Sequence, residues 1–190
     1  MTPGSERSAT EARAAWLREQ AEGARLRRWV LFWLAAFWIL VFQIVFPPAP
    51  RLVWNASASM PVGLYWVSPG AQARRGDTVI ARLPPALRRL AAERRYLPEN
   101  VPLVKRVAAA SGDRVCALGA RILVDGKPVA SRFAADRLRR PMPWWQGCRT
   151  LGTGELFLLM ASVPDSFDGR YFGVSKASDL LGRAYPLWTR

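Results

Sequence analysis

The amino-acid sequence predicts a mainly β fold, with one N-terminal transmembrane helix followed by a compact antiparallel β domain. Two observations predict it. Residues 29–46 form an apolar run in which only Gln43 is polar, and a helix of that length spans roughly 27 Å, close to the thickness of a bilayer core. After this run the chain changes to short apolar segments separated by turn residues, a pattern typical of short strands at close spacing.

The segments after the apolar run predict the individual strands. Strand patterning occurs at residues 64–67, 78–81, 103–108, 121–124, 127–129 and 156–160. Asp125 and Gly126 separate two of these segments and predict a tight hairpin turn. Residues 84–98 are the exception, because their apolar residues recur at helical spacing.

The charges beside the apolar run divide the chain into three regions. Residues 1–28 are rich in Ala, Glu and Arg, which favours a helical stub; residues 29–46 are the transmembrane anchor, and residues 47–190 are the exported domain. Three arginines lie in the last four positions before the anchor. Since basic residues flank a membrane span on its cytoplasmic side, we expect a cytoplasmic stub and a domain that faces the periplasm or the cell exterior.

A buried core helix and a cleaved signal peptide are the alternatives to a membrane anchor. A core helix rarely runs so long without a charge, and a leader of 28 residues is longer than the n-region of a signal peptide. The small residues Ala56-Ser57-Ala58 nevertheless match the pattern of a cleavage site. We expect an uncleaved single-pass anchor, ended by Pro47 and Pro48.

The composition excludes several kinds of catalysis. The 190 residues include 28 Lys and Arg against 14 Asp and Glu, a formal net charge of +14, and no histidine. Without imidazole there is no Ser-His-Asp catalysis and no His-ligated metal. We therefore expect neither a metal nor a cofactor, and any general base must be a carboxylate, a lysine or the terminal amine.

Cys116 and Cys148 are the two cysteines of the chain. They are too few for a structural zinc site. A periplasmic domain permits disulfides, and exactly two cysteines favour pairing. The alternative is two unpaired buried thiols.

The positive charge is compatible with anionic lipid or with nucleic acid. Because the basic residues occur as scattered pairs, without a stripe of interleaved aromatic residues, membrane lipid is favoured as the partner over nucleic acid. Four tryptophans either form an apolar surface that dips into the membrane interface or belong to the core: Trp54, Trp66, Trp144 and Trp145.

Lys105 is the candidate general base. The chain has only three lysines, and its many arginines do not deprotonate in proteins. In a strand, Lys105 shares a face with Leu103 and Val107, and Arg106 points the opposite way. An ammonium in apolar surroundings loses its proton more easily, which makes a base; the alternative is a lysine that snorkels from an edge strand.

A serine-rich segment follows the anchor, and residues 55–63 read NASASMPVG. Small residues around a serine leave room for a substrate backbone, and Pro61 and Gly63 indicate a fixed turn. Taken alone, such a segment is usually a linker. Asn55-Ala56-Ser57 is also a glycosylation sequon, a triplet that is common by chance.

Four blocks of sequence follow one another behind the anchor. They are SASMP with GLY within residues 57–65, RGDTV at 75–79, VKRV leading to GD within 104–113, and DSFDGRYFG at 165–173. Together they resemble the signal peptidase I-type serine-lysine peptidase family, and the proline directly after the methionine resembles its conjugative-transfer, TraF-like branch. The resemblance implies a β domain of the signal peptidase type.

The resemblance also implies a role for each matching side chain. Ser59 is expected to be the nucleophile and Lys105 its general base. Ser57 is expected to donate its hydroxyl to the oxyanion beside the Ser59 N–H. Ser166 is expected to orient the Lys105 ammonium.

The last block supplies a candidate ion pair. Asp168 and Arg170 are expected to support the site, and the alternative is an ordinary loop salt bridge. The transfer branch implies an aspartate that matters for activity, for which Asp168 is preferred over Asp165. Residues 160–164 stand where the family has an acidic Gly-Asp-Asn-Arg start, so this part of the site departs from the family pattern.

The implied function is that of a serine endopeptidase anchored by a single span in the bacterial inner membrane, with its N-terminus in the cytoplasm and its catalytic domain in the periplasm. It would cleave exported preproteins after small, alanine-like residues, and in the transfer branch it would mature a conjugative pilin by hydrolysis or cyclisation. The expected partners are a preprotein or prepilin, membrane lipid and proteins of the transfer apparatus. The alternatives are a general signal peptidase I, a non-enzymatic scaffold of a secretion or pilus complex, and a basic periplasmic module that contacts DNA.

Overall fold

The structure is a computed structural model that describes residues 3–46 and 49–190. The described chain divides into two units, the helix α1 (Pro3–Val45) and a β domain that begins at Ala49. The prediction of a mainly β fold behind one N-terminal apolar helix is confirmed. Pro47 and Pro48, which are expected to end the anchor, lie outside the described residues.

The helix α1 runs without a break through both the expected stub and the expected anchor. Its part Gly23–Val45 has 23 residues and a mean hydropathy of 1.9, long and apolar enough to cross a bilayer by length and composition. Large side chains such as Trp33 and Phe42 are exposed along this part. A helix that exposes so many apolar side chains needs a nonpolar surrounding, which a bilayer supplies.

Within residues 49–190 the structure has eleven strands and two further helices. The strands are β1 (Leu52–Asn55), β2 (Gly63–Ser68), β3 (Thr78–Ala81), β4 (Leu103–Ala109), β5 (Arg114–Leu118), β6 (Arg121–Val124), β7 (Lys127–Ser131), β8 (Gly147–Thr150), β9 (Glu155–Leu158), β10 (Ser175–Lys176) and β11 (Leu180–Thr189). The helices are α2 (Pro85–Glu93) and α3 (Gly169–Phe172).

Two antiparallel sheets share the strands. The large sheet has the order β1-β2-β11-β3-β4-β9-β10, and the small sheet has the order β7-β6-β5-β8. Alternating strand residues supply the buried side chains, among them Val107 and Leu158 in the large sheet and Val115 and Ile122 in the small one. Within the large sheet, β4 is an interior strand between β3 and β9.

The predicted strands all appear, with ends that differ by a few residues. The hairpin between β6 and β7 turns at Asp125 and Gly126, which both have positive φ, as a two-residue turn of this kind requires. The predicted helix over 84–98 is shorter than expected. It ends at Glu93 because Arg95 takes a left-handed φ of 58° and the chain folds back on the last helical turn.

Gly63 allows β2 to lie close to β11. Its φ is +154°, and a Cβ at this position would lie only 2.0 Å from the Trp188 carbonyl oxygen. Any other residue would push the two strands apart. The glycine of the first sequence block therefore sets the sheet geometry directly after the serine-rich segment.

The structure places the two cysteines opposite each other in the small sheet. Cys116 in β5 pairs with Cys148 in β8, their Cα atoms lie 4.0 Å apart, and a disulfide joins them. The bond closes a loop over a sequence separation of 32 residues. It lies in the sheet that does not carry the candidate catalytic residues.

The four tryptophans divide between the two alternatives. Trp54, Trp66 and Trp144 are exposed. Trp145 is half-buried, and its Nε1 donates to the Gly169 carbonyl oxygen at 3.0 Å. Neither an exposed surface nor the core accounts for all four.

Candidate active site

The loop between β1 and β2 carries Ser57 and Ser59 and is held from both ends. Asn55, the last residue of β1, is 5% exposed. Its Nδ2 donates to the carbonyl oxygens of Ser57 and Met60, each at 3.0 Å, and of Pro61 at 3.1 Å. From β2, the buried Tyr65 hydroxyl donates to the same Pro61 oxygen at 2.8 Å.

Burial raises the pKa of the Tyr65 phenol above its ordinary value, so the hydroxyl stays a hydrogen-bond donor over a wider range of pH. The serine-rich segment is thus a fixed loop and not a linker.

Ser59 and Lys105 meet at this loop. Lys105 Nζ lies 2.6 Å from Ser59 Oγ and 2.9 Å from Ser166 Oγ. The lysine is 3% exposed in the middle of β4, and its strand neighbours Leu103 and Val107 are buried on the same side. A hydroxyl within hydrogen-bond reach of a buried amine is the geometry that an activated nucleophile needs.

Burial lowers the pKa of the Lys105 ammonium to about 8. The negative charge of Asp168 opposes this lowering, and the positive charge of Arg170 adds to it. In the part of the chain whose side chains are described, Lys105 forms no ion pair. A lysine solvated by two hydroxyls alone can therefore release its proton close to neutral pH.

Asp168 and Arg170 form a fully buried ion pair, with exposures of 0% and 1%. The carboxylate accepts two bonds from the guanidinium, at 2.8 and 3.1 Å, and one from the Met160 N–H at 2.9 Å. The guanidinium also donates to the carbonyl oxygens of Met160, Pro164 and Ser131. Both charges are thus compensated inside the domain, unlike those of an ordinary loop salt bridge.

Asp165 occupies a different environment. Its carboxylate is exposed and pairs with Arg137, which is also exposed. The structure therefore separates a surface pair at Asp165 from the buried pair at Asp168. Of the two aspartates, Asp168 is the one whose charge acts on Lys105.

Gly169 lies between Asp168 and Arg170, at a position that has no room for a side chain. A Cβ there would lie 2.7 Å from the Leu158 carbonyl oxygen and 2.8 Å from the Phe157 ring. The close approach of α3 to β9 brings Asp168 near enough to β4 for its charge to act on Lys105. The last sequence block thus positions its charged residues through a glycine.

Ser57 lies on the other side of the nucleophile. Its Oγ is 3.1 Å from Ser59 Oγ and 2.8 Å from Asn55 Oδ1. The structure thus links Asn55, Ser57, Ser59, Lys105 and Ser166 in one chain of side-chain hydrogen bonds.

A cleft of about 660 Å³ opens beside Ser59. Most of its lining is small or apolar, and includes Ala58, Met60, Ala108, Leu159, Met160, Ala161 and Val163. Arg106, which is exposed, lies at the same cleft. Among the described residues, no group of three His, Cys, Asp or Glu side chains could hold a metal ion.

Two residues of this region escape prediction from the sequence. Asn55 looks like part of a sequon, yet its amide is buried against three carbonyl oxygens. Arg132 is one arginine among many, yet it is buried and donates to the carbonyl oxygens of Gly119, Trp145 and Arg170. Sequence patterning carries no signal for Arg132, whereas an Asn at a strand end before a small-residue loop is a weak signal for Asn55.

Comparison with known proteins identifies relatives of this arrangement. A family model described as "Signal peptidase, peptidase S26" matches residues 26–188. Two proteins from Escherichia coli named "Plasmid transfer protein TraF" are 39% identical over 147 residues and 36% identical over 146 residues; each match covers 71% of this chain and 81% of the relative. "Conjugal transfer protein TraF" of Agrobacterium fabrum is 34% identical over 145 residues, with the same coverage.

A solved structure is also similar in part. A signal peptidase I from Enterococcus faecalis V583 is 18% identical, with a TM-score of 0.35, over 60% of this chain and 97% of its own.

An antiparallel β domain that sets a serine hydroxyl against a buried lysine defines a class of candidate hydrolases without histidine. The chain belongs to the signal peptidase family, peptidase S26, and to its TraF-like branch. The family is one of peptidases, and the apolar α1 together with this membership indicates association with a membrane.

Proposed function

We propose that the chain is a membrane-anchored serine endopeptidase that uses a Ser59–Lys105 dyad. The observation that carries this proposal is the 2.6 Å hydrogen bond between Ser59 Oγ and a buried amine. Burial also lowers the pKa of that amine to about 8, so a substantial fraction is neutral near physiological pH.

The proposed reaction is acyl transfer. Neutral Lys105 takes the proton of Ser59 as Oγ attacks the substrate carbonyl carbon. The Ser57 hydroxyl and the Ser59 N–H donate to the oxyanion. The Lys105 ammonium then protonates the leaving amine as the peptide bond breaks. Water, or an amine of the substrate, then attacks the acyl-enzyme and releases Ser59.

The substrate is an extended peptide with small side chains before the scissile bond. Small and apolar residues line most of the cleft beside Ser59, which supports alanine-like side chains there. The relatives named for plasmid or conjugal transfer support a role in conjugation. We therefore favour a conjugative prepilin over exported preproteins in general, which a general signal peptidase I would cleave.

The proposed location is the bacterial inner membrane. Residues 1–28 lie in the cytoplasm, residues 29–46 span the bilayer and residues 47–190 form the periplasmic peptidase domain. The arginines before the apolar run and the paired cysteines support this orientation, because disulfides persist in the periplasm. Proteins of the transfer apparatus are the proposed further partners.

An exposed apolar face of the large sheet supports membrane lipid as a partner. On β1, β2 and β11, the exposed apolar residues Leu52, Trp54, Trp66, Tyr185 and Trp188 adjoin one another through the strand register. The Trp54 and Trp188 rings lie 5.7 Å apart. Only six residues of chain separate α1 from β1. Tryptophans are typical of membrane interfaces.

Cleavage by the full-length protein in detergent tests the proposed function. The probe is a fluorogenic peptide with alanine at the first and third positions before the scissile bond. We expect cleavage by the wild type, none by Ser59→Ala, and full activity for the control Ser111→Ala, which changes an exposed turn serine. Equal activity of Ser59→Ala and wild type would favour the non-enzymatic scaffold.

The mass of the product distinguishes the two fates of the acyl-enzyme. With a purified candidate prepilin, hydrolysis adds one water to the pair of fragments, whereas cyclisation releases a fragment and leaves the remainder without added water. The same experiment compares a prepilin with a general preprotein, which separates the conjugation role from a housekeeping one.

A further inference from the structure

Asn55 is bound more extensively than a structural turn requires. Its Nδ2 has three carbonyl acceptors within 3.1 Å, and its Oδ1 accepts from the Ser57 N–H at 3.2 Å and from the Ser57 hydroxyl at 2.8 Å. This set fixes which way the amide faces. A flipped amide would place its NH₂ against an N–H donor and its oxygen against three carbonyl oxygens.

The fixed amide determines where the Ser57 proton points. Asn55 Oδ1 can only accept, so the Ser57 hydroxyl donates to it. The lone pairs of Ser57 Oγ then face Ser59 Oγ at 3.1 Å. When Lys105 is charged it donates to Ser59, and the hydrogen bonds run in one direction from Lys105 through Ser59 and Ser57 to Asn55.

We propose that Asn55 is a positioning residue that acts through Ser57, an inference that rests on the proposed peptidase function. It holds the Ser57 hydroxyl beside the nucleophile and satisfies its proton with a neutral acceptor in the ground state. When the oxyanion forms, the Ser57 proton turns from the amide oxygen to the charged oxygen. A hydrogen bond to a charged acceptor is roughly twice as strong as one to a neutral acceptor.

This exchange stabilises the transition state and not the bound substrate. An interaction that strengthens only in the transition state raises kcat and leaves KM unchanged. No covalent bond changes at Asn55 or Ser57, and each side chain has the same number of protons before and after the exchange. A purely structural role for Asn55 would instead act on the whole loop, whether or not Ser57 has a hydroxyl.

A double-mutant cycle on the full-length protein in detergent separates the two roles. The variants are Asn55→Leu, Ser57→Ala and the double variant, measured with the fluorogenic alanine peptide. Leucine has the same branched arrangement of non-hydrogen side-chain atoms as asparagine but lacks both the acceptor and the donors. Asn100→Leu is the matched control, because Asn100 is the other asparagine and is exposed.

We expect Asn55→Leu to lower kcat by about tenfold to a hundredfold, with KM changed by less than about twofold. In the Ser57→Ala background, Asn55→Leu should lower kcat by no more than about twofold further, because the residue acts through a hydroxyl that is already gone. Asn100→Leu should leave both parameters unchanged. Equal losses of kcat with and without the Ser57 hydroxyl would overturn the proposal.

Asn55→Asp keeps the test decisive if Asn55→Leu does not fold. The aspartate keeps an oxygen that can accept from the Ser57 hydroxyl but has no N–H group to donate to the loop carbonyl oxygens. We therefore expect the kcat that this variant retains to fall when Ser57 is also changed to alanine. A folded Asn55→Asp variant whose kcat does not fall with Ser57→Ala would contradict the inference. Absence of any Ser59-dependent cleavage by the wild type would instead refute the proposed function itself, and the inference with it.

Discussion

Two buried cations lie in the same region of the β domain in opposite electrostatic situations. Arg170 is 1% exposed and has the Asp168 carboxylate and three carbonyl oxygens around its guanidinium. Lys105 is 3% exposed, and among the side chains that the structure describes its amine has only the hydroxyls of Ser59 and Ser166 as hydrogen-bond partners. The carboxylate and the carbonyl oxygens therefore compensate the charge of Arg170, whereas burial lowers the pKa of the Lys105 ammonium to about 8.

The difference teaches how a domain without histidine makes a base. A buried charge that has its counter-ion is a structural element, and removing that counter-ion is costly. A buried charge that has only hydroxyls is destabilised, and this destabilisation brings the pKa of a lysine into the useful range. The Asp168–Arg170 pair therefore stabilises the fold around the site, and Lys105 performs the proposed chemistry.

Among the variants that test this difference between the two cations, Lys105→Arg has the largest expected effect, a loss of peptidase activity. Arginine keeps the positive charge but does not deprotonate, so Ser59-dependent cleavage should fall by about a thousandfold or more. The measurement is kcat/KM with the fluorogenic peptide. Lys127→Arg, an exposed lysine in β7, is the control and should retain full activity. Near-full activity of Lys105→Arg would contradict the lysine-base mechanism.

Asp168→Asn tests the compensated cation. Removing the carboxylate charge leaves the Arg170 guanidinium buried without its counter-ion, so the free energy of unfolding should fall by about 3–5 kcal/mol. The matched control is Asp165→Asn, whose exposed pair with Arg137 should contribute less than about 1 kcal/mol. Denaturant unfolding of the two variants measures the difference. Equal losses would show that the buried pair behaves like a surface one.

Lys105→Met tests the uncompensated cation. At neutral pH the folded protein holds a charged lysine whose pKa lies below its usual value of 10.5, which disfavours folding. Methionine removes that penalty, so the free energy of unfolding should rise by about 1–3 kcal/mol while activity is lost.

The size of this stability gain depends on pH. The unfolded chain binds more protons than the folded one between about pH 8 and the usual lysine value of 10.5. The gain from Lys105→Met is therefore full below about pH 8 and disappears as the pH rises through that window. A variant less stable than the wild type at neutral pH would show that Lys105 is compensated after all.

Ser166→Ala gives the smallest expected effect. It removes one of the two hydroxyls that hold the Lys105 amine, at 2.9 Å. The loss of one such hydrogen bond should lower kcat by about fivefold to tenfold, with KM unchanged. A rise in KM without a fall in kcat would assign Ser166 to substrate binding instead of lysine orientation.

The sequence predicts the lysine strand better than it predicts the sheet around it. Lys105 alternates with apolar residues, so its buried side follows from the strand period alone. The central strand β11 is not predicted, because Gly182, Arg183 and Pro186 interrupt its pattern. Its pairing with β2 and β3 is fixed by distant strands and includes two bulges. Such tertiary pairing overrides local patterning.

The candidate site is predictable only as far as its blocks of sequence reach. Through their resemblance to the family, the four blocks predict that Ser59, Lys105 and Ser166 belong to one site. The structure joins these three residues by hydrogen bonds. Asn55 and Arg132 lie outside the blocks. Asn55 is held by carbonyl oxygens of the loop that follows it, and Arg132 by carbonyl oxygens from three separate segments. No spacing along the chain shows where such oxygens meet.

The dependence of kcat/KM on pH tests the role of Lys105 most directly. For the wild type we predict a rise through an apparent pKa near 8 and a plateau above it, because the free enzyme must hold Lys105 neutral. The substrate should be a peptide without groups that titrate in this range. A profile that stays flat from about pH 6 to about pH 10 would contradict the account, since no deprotonating base would then limit the reaction.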